Sequence, residues 1–146
     1  MTVNTRSVRA TPEQVWEVLA DGWLYPLWVV GASRVRDVDA TWPEVGSAIH
    51  HSVGVWPALI DDATVVLEVV PGSRLRLRAK GWPLGEAHVE LVLTADGSGT
   101  TISIEEHPTS GPGALVPPPI TAPSIKWRNT EALRRLAFVV ENRPRS

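Results

Sequence analysis

The stretch from residue 120 to residue 143 constrains the fold most, because it carries the one long helical pattern in the chain. Apolar residues recur along it at steps of three and four, the spacing of one face of an α-helix. This face consists of Ile125, Asn129, Ala132, Leu133, Leu136, Ala137 and Val140. Asn129 is its one polar member, and an amide on an apolar face points to a cavity rather than a solid core.

The segments before this helix alternate between apolar and polar residues, as strands do. Candidate strands are residues 2–9, 33–40, 47–56, 63–70, 74–80, 86–95 and 100–107. The links between them are short and rich in proline and glycine, which favours antiparallel hairpins. Thr11–Gln14 has the pattern of a capping box that begins a short helix, and a second brief helix or turn follows it. We predict an α+β fold in which an antiparallel sheet of about seven strands bends around the long helix.

Composition bounds the function. The chain has 146 residues, a net charge of −2 and no cysteine, so we expect a single domain over residues 1–146 without disulfides or thiolate chemistry. Near-neutral charge argues against a nucleic-acid surface. No apolar run is long enough to cross a membrane and no signal peptide is evident, so a cytoplasmic location is the default expectation. We expect neither a metal ion nor a cofactor.

Strand alternation predicts which side chains face the helix. The predicted inward positions are Val65, Leu67, Val69, Leu75, Leu77, Val89, Leu91, Leu93, Ile102 and Ile104, and by the same parity Glu106. An inward carboxylate is costly unless it is paired or hydrogen-bonded. Glu106 is therefore a candidate polar anchor or general acid/base, unless the strand frays near Pro108 and lets it reach water.

His50 and His51 are adjacent on a strand, so they point to opposite faces and cannot readily hold one metal ion together. Parity with Ile49, Val53 and Val55 favours His51 as the inward residue, whereas parity with Trp56, Ser52 and Ala48 favours His50, and a bulge near Gly54 would allow either. We take His51 as a candidate partner of Glu106 in proton transfer. The alternative is a histidine that only satisfies a polar group.

One end of the predicted sheet collects apolar loops, which contain Trp56, Trp82 and Leu115. These loops are candidates for a ligand mouth, or else they fold back into the core. For Trp16, Trp23 and Trp28 core packing is expected, with Trp28 pointing inward as a candidate ligand contact.

The first turns of the long helix begin at the same end of the sheet. Ile125 and Asn129 are therefore candidate ligand contacts, and Asn129 could bind a ligand carbonyl or satisfy a loop backbone group. Arg128, Arg134 and Arg135 are assigned to the solvated face of the helix.

The order of elements, with the residues Thr11–Trp16, Trp28 with Gly31, and Glu131–Leu136, resembles the START-like helix-grip superfamily (SRPBCC) over essentially the whole chain. The subgroup it most resembles is the polyketide cyclase/dehydrase-like proteins. The resemblance implies a helix-grip fold with a cavity between sheet and helix, and it includes carriers as well as enzymes.

Three functional hypotheses follow. The first is a protein that binds a small hydrophobic molecule, lipid-like or polycyclic, between sheet and helix. The second is the cyclase/dehydratase-type enzyme that the resemblance implies, with Glu106 and His51 moving protons. The third is a protein-interaction module that uses the tryptophan and proline loops. A monomer or a homodimer fits all three.

Overall fold

The computed structural model describes residues 2–29, 32–53, 60–81, 85–110 and 118–143. Within these ranges, the description excludes the side chains of residues 2, 32–34, 52, 53, 60–62, 80, 81, 85, 107, 108, 110 and 118–125. Trp56, Trp82 and Leu115 lie outside the described residues, as does the side chain of Ile125. Their predicted contacts with a ligand therefore stay predictions.

The elements follow one another in the predicted order. The strands are β1 (Thr2–Val8), β2 (Ala32–Val38), β3 (Ala48–Val53), β4 (Ile60–Val70), β5 (Arg74–Gly81), β6 (Gly85–Asp96) and β7 (Gly99–Ser110). The helices are α1 (Pro12–Leu19), α2 (Tyr25–Trp28) and α3 (Pro118–Glu141), with a single 3₁₀ turn at Gly22–Leu24 before α2. The predicted long helix, residues 120–143, thus begins and ends two residues earlier in the structure.

All seven strands form one antiparallel sheet in the order β1-β7-β6-β5-β4-β3-β2. Strands β2 to β7 form a meander, as their short links require. The last strand, β7, also pairs with the first strand, β1. The sheet is curved, and α3 contacts β1, β7 and both short helices. This arrangement confirms the α+β helix-grip fold expected from the sequence.

Helix α1 begins at the predicted capping box. The Thr11 hydroxyl accepts a hydrogen bond from the Gln14 backbone N–H (3.2 Å), and the Gln14 side chain accepts one from the Thr11 N–H (2.9 Å). These two bonds satisfy donors that an uncapped helix end leaves open, and Pro12 adds a backbone already set for the first turn. The buried face of α1 is Val15, Val18 and Leu19.

A β-bulge in β4 overturns part of the predicted inward face. Val66 pairs with Leu77 and Glu68 pairs with Arg76, so Leu67 is the extra residue between them. A bulge shifts the alternation by one position. Val69 lies against the core as predicted, but on the other side of the bulge Thr64 and Val66 are buried instead of Val65 and Leu67.

The inner face of α3 matches its sequence pattern where side chains are described. Asn129, Ala132, Leu133, Leu136, Ala137 and Val140 are all buried. They pack with the sheet residues Leu75, Leu77, Leu91, Leu93, Ile102 and Ile104 in one hydrophobic cluster. In the described ranges, no helix combines the length and apolar character that crossing a bilayer needs.

The tryptophans before β2 do not all pack as expected. Trp28 is buried, with 6% of its surface exposed, and Trp16 is half-buried against the core. Trp23 lies on the surface and is 57% exposed, so its assignment to the core was wrong. Two residues before it, Asp21 caps the 3₁₀ turn, since its carboxylate accepts a hydrogen bond from the Trp23 N–H at 3.1 Å. The indole of Trp23 lies on the outer side of this turn.

Candidate functional site

Glu106 lies on the inner face of β7, where the alternation of Ile102 and Ile104 places it. Only 5% of the residue is exposed. Strand β7 stays paired beyond this point, since Glu106 lies opposite Thr2 of β1 and Val89 of β6. The strand therefore does not fray at Glu106, and the carboxylate is held inside the sheet.

Arg128 of α3 forms an ion pair with Glu106, through its Nη2 atom and the Oε2 atom of the carboxylate. The assignment of Arg128 to the solvated face was wrong. Its Cα lies beside the buried stripe of the helix, and the long side chain reaches inward while 34% of it stays exposed. A buried carboxylate is costly without a partner, and this ion pair stabilises Glu106 in its buried position.

His51 is the inward histidine of the adjacent pair, and 3% of it is exposed. Its Nε2 atom is hydrogen-bonded to the Thr64 hydroxyl at 2.9 Å. His50 lies on the other face, with its Nε2 atom 2.9 Å from Oδ1 of Asp39. That hydrogen bond, together with one from the Ala48 N–H, lowers the pKa of the Asp39 carboxyl below its usual value.

Tyr25 extends the polar contacts of His51. Its hydroxyl is hydrogen-bonded to the Thr64 hydroxyl at 3.2 Å, and its ring stacks on the His51 ring with 6.0 Å between centroids. Burial raises the pKa of the Tyr25 phenol, and the nearby Glu106 charge adds to that rise. Tyr25 is therefore a neutral hydroxyl that can donate a hydrogen bond.

Tyr25, His51, Thr64, Glu106 and Arg128 form what we call the interior polar cluster. Thr64 joins Tyr25 to His51 by direct hydrogen bonds, while Glu106 and Arg128 lie close enough to Tyr25 to act on its pKa in opposite directions. The cluster draws on α2, β3, β4, β7 and α3, so its geometry depends on the whole fold.

Trp28 forms the apolar side of this region. Its ring meets Tyr25 edge to face, with 5.4 Å between centroids, an arrangement that aromatic quadrupoles favour. Trp28 is buried, as the sequence led us to expect, and its helix α2 contacts α3.

Two buried asparagines near the first half of α3 each keep one amide atom without a hydrogen-bond partner among the described residues, Oδ1 in Asn4 and Nδ2 in Asn129. Asn4 of β1 donates from Nδ2 to the Lys126 carbonyl (3.2 Å) and to the Thr130 hydroxyl (2.8 Å), which ties β1 to α3. Asn129 is as deeply buried, with 4% exposed, yet its Nδ2 atom has no hydrogen-bond partner among the described residues. Such a donor lowers stability by about 1–3 kcal/mol.

The structure thus brings together some of the predicted site residues and adds others. Glu106, His51, Trp28 and Asn129 are all buried; Glu106 forms an ion pair with Arg128, and His51 is hydrogen-bonded to Thr64. Tyr25 and Thr64 were missed. The bulge that turns Thr64 inward has no signal in the alternation of β4, and Tyr25 lies in a short segment without a clear period.

Across the described residues, no three histidine or acidic side chains are grouped so as to hold a metal.

Comparison with known proteins gives one family and many structures of the same fold. The family model for polyketide cyclase / dehydrase and lipid transport matches residues 2–141. Protein CV1439 from Chromobacterium violaceum is 22% identical with a TM-score of 0.69, and the match covers 97% of both chains. Protein MLL2253 from Mesorhizobium loti is 21% identical with a TM-score of 0.70, over 99% of this chain and 98% of its own.

A third structure, DynU16, is described as a protein in the dynemicin biosynthetic locus. It is 24% identical with a TM-score of 0.69, and the match covers 97% of this chain but 47% of DynU16, so this chain spans about half of that protein. No curated protein matches the sequence significantly. At these identities the structural neighbours establish the fold alone.

Substitutions of Glu106 and Arg128 should have strongly coupled effects on the free energy of unfolding. We expect Arg128→Met to lower the free energy of unfolding by about 3 kcal/mol, because it leaves the Glu106 carboxylate buried without its cation. Glu106→Gln should cost less, since the Arg128 side chain is partly exposed and can turn to water. The double variant should recover part of the loss. Urea unfolding of the four proteins gives the coupling energy.

The surface pair of Glu131 and Arg134, with 2.6 Å between Oε1 and Nη2, is the matched control. The same cycle on that pair should give a clearly smaller coupling, because water screens exposed charges. Equal coupling energies for the two pairs would contradict a buried, structure-supporting role for the Glu106 ion pair.

Proposed function

The chain belongs to the polyketide cyclase/dehydrase and lipid transport family, and on that premise we propose that residues 1–146 form one domain that binds a small hydrophobic molecule. The ligand is lipid-like or polycyclic, and it lies between the sheet and the first half of α3. The family description joins ligand processing with lipid transport, and DynU16, a neighbour of the same fold, is named for a biosynthetic locus. Both support a small-molecule ligand.

The observation that carries this proposal is the Nδ2 atom of Asn129. It is a buried amide donor without a partner among the described residues, on a helix face that is otherwise apolar. Folding alone gives no reason to keep such a group, because burying it unbonded costs free energy and an apolar residue of similar size would not. A bound carbonyl or hydroxyl oxygen would accept its hydrogen bond.

The ligand proposed at Asn129 is mostly apolar with one polar end. Trp28 and the ring of Tyr25, which are buried and in contact with each other, are proposed to supply aromatic surface to it, and the interior polar cluster is proposed to supply a few directed groups. Ligand sites in proteins commonly have this composition, with apolar walls for affinity and a few polar groups for orientation. The Tyr25 hydroxyl, kept neutral by its raised pKa, is a second candidate donor to a ligand oxygen.

The apolar loops at the same end of the sheet complete the proposal. Trp56, Trp82 and Leu115 are proposed to form the mouth, and Ile125 is proposed to contact the ligand from the first half of α3. In this arrangement Glu106 acts as a fixed anchor for Arg128, and catalysis is not required of it.

A matched pair of probes tests the role of Asn129. The β isomers of acetylnaphthalene and ethylnaphthalene have nearly the same size and differ in one carbonyl group. We expect the ketone to bind the protein roughly tenfold more tightly, since one added hydrogen bond is worth about 1 kcal/mol or slightly more. In Asn129→Leu the two probes should bind alike. Quenching of tryptophan fluorescence measures both affinities.

Asn4→Leu is the control for this experiment. It removes an equally buried asparagine whose Nδ2 atom is already bonded to α3, so it should lower the melting temperature and keep the preference for the ketone. Asn129→Leu should instead leave the melting temperature unchanged or raise it. A ketone preference that survives in Asn129→Leu, or equal binding of both probes to the natural protein, would contradict the proposal.

A second candidate function is a cyclase or dehydratase, and one observation favours it. Tyr25, Thr64 and His51 form a hydrogen-bonded row that can pass a proton in either direction, because each hydroxyl both donates and accepts. A ring closure with loss of water needs a group that removes a carbon-bound proton and one that protonates the departing oxygen. His51 and Tyr25 are the candidates for these roles.

A linear heptanedione with its ketones next to the terminal methyl groups tests the hypothesis that the protein is a cyclase or dehydratase. The methyl carbon of one end would attack the carbonyl carbon of the other, and loss of one water would give a methylcyclohexenone whose conjugated absorption reports the reaction. An enzyme should form it faster than buffer, and His51→Ala should abolish the gain while His50→Ala keeps it. A rate equal to that in buffer would leave ligand binding as the function.

A further inference from the structure

The outer face of α3 carries an unusual pair of exposed aromatic residues. Trp127 is 66% exposed, and Phe138, the one phenylalanine of the chain, is 65% exposed. Eleven residues separate them, which is three helical turns with an offset of roughly 20°, so they lie on the same line along the helix. Their separation along the axis is about 16 Å.

Between these two aromatic residues lie opposite charges. Glu131 and Arg134 fall on the same line, and they form an ion pair with 2.9 Å between Arg134 Nε and Glu131 Oε2. The neighbouring Arg134 and Arg135 lower the pKa of Glu131 to about 2, so the carboxylate is ionised at neutral pH. Along α3 this line therefore carries an exposed aromatic residue, a half-buried glutamate, an exposed arginine and a second exposed aromatic residue.

This order is self-complementary when a second helix runs antiparallel to the first. The midpoint of the line falls between residues 132 and 133, so Glu131 and Arg134 are equally far from it, and so are Trp127 and Phe138. A two-fold axis through this midpoint would place Trp127 of one copy against Phe138 of the other, and Glu131 against Arg134. A parallel alignment would instead oppose like charges.

We propose that the outer face of α3 is a homodimer interface, in which two copies of the chain pack their long helices antiparallel through Trp127, Glu131, Arg134 and Phe138. Both protomers use the same patch, as a two-fold interface requires. Knobs of this size on an exposed helix ridge suit helix–helix packing. The interface lies on the face of α3 opposite to Asn129, so it is separate from the proposed ligand site.

The interface is small, so the dimer should be weak. An aromatic side chain brings roughly 150–250 Å² to a contact, and four of them, each about two thirds exposed, contribute on the order of 500 Å². With the charged residues the buried area stays below the standard size of stable complexes, about 1,600 Å². We expect a dissociation constant on the order of 100 µM.

Sedimentation velocity over concentrations from well below to well above that constant tests the dimer. The natural chain should shift from monomer to dimer, and Trp127→Glu and Phe138→Glu should stay monomeric throughout. Trp23→Glu is the matched control, since it makes the same kind of change at a similarly exposed tryptophan that is not on α3, and it should dimerise as the natural chain does. Far-ultraviolet circular dichroism confirms that each variant is folded.

A charge exchange tests the antiparallel register. Glu131→Arg alone sets arginine against Arg134 of the second copy, and Arg134→Glu alone sets glutamate against its Glu131, so each variant by itself should associate less than the natural chain. An equal mixture of the two restores opposite charges at both contacts and should form a heterodimer. The proposal is overturned if the natural chain stays monomeric, if Trp23→Glu weakens association as much as Trp127→Glu, or if the mixture associates no better than its components.

Discussion

Glu106 carries a carboxylate into the space between sheet and helix, and its ion pair with Arg128 stabilises that buried charge. The cation comes from the first half of α3 and the anion from β7, so the pair fixes the helix against the sheet at one end. Asn4 adds a second tie, from β1 to the backbone and hydroxyl of the same turns. In the opposite half of α3, Leu133, Leu136 and Val140 pack as ordinary core, and the polar tie there, from the Arg9 N–H to Oε2 of Glu141 at 2.9 Å, lies on the surface.

This asymmetry along α3 explains why polar groups gather at one end of the interior. The ion pair holds Arg128 in place, and the next residue, Asn129, is buried with an amide donor that has no partner in the part of the chain that the structure describes. Tyr25 and Thr64 complete the region from α2 and β4, each buried and each engaged in a hydrogen bond. This many buried polar groups would not strengthen a solid apolar core, whereas a binding site needs a few polar groups at fixed positions to orient its ligand.

The sequence was sufficient for the fold and for the residues on regular elements. Alternation in β7 predicted the inward position of Glu106, and the helical period predicted that of Asn129, because both patterns run unbroken through those residues. It was insufficient where geometry departs from the repeat. The bulge at Leu67 reverses the phase of β4 and brings in Thr64, which no local pattern announces. Arg128 lies beside the apolar face on a helical projection, and only its length and the position of Glu106 in space turn it inward.

We propose that an apolar molecule lies against Asn129 and Trp28, between the sheet and the first half of α3. Intermolecular nuclear Overhauser effects between the protein and bound β-acetylnaphthalene test it most directly, because they report which protons touch the ligand. We expect effects from the Asn129 side-chain amide and the Trp28 ring, and none from Phe138. Effects confined to the exposed rings of Trp23, Trp127 and Phe138 would contradict it.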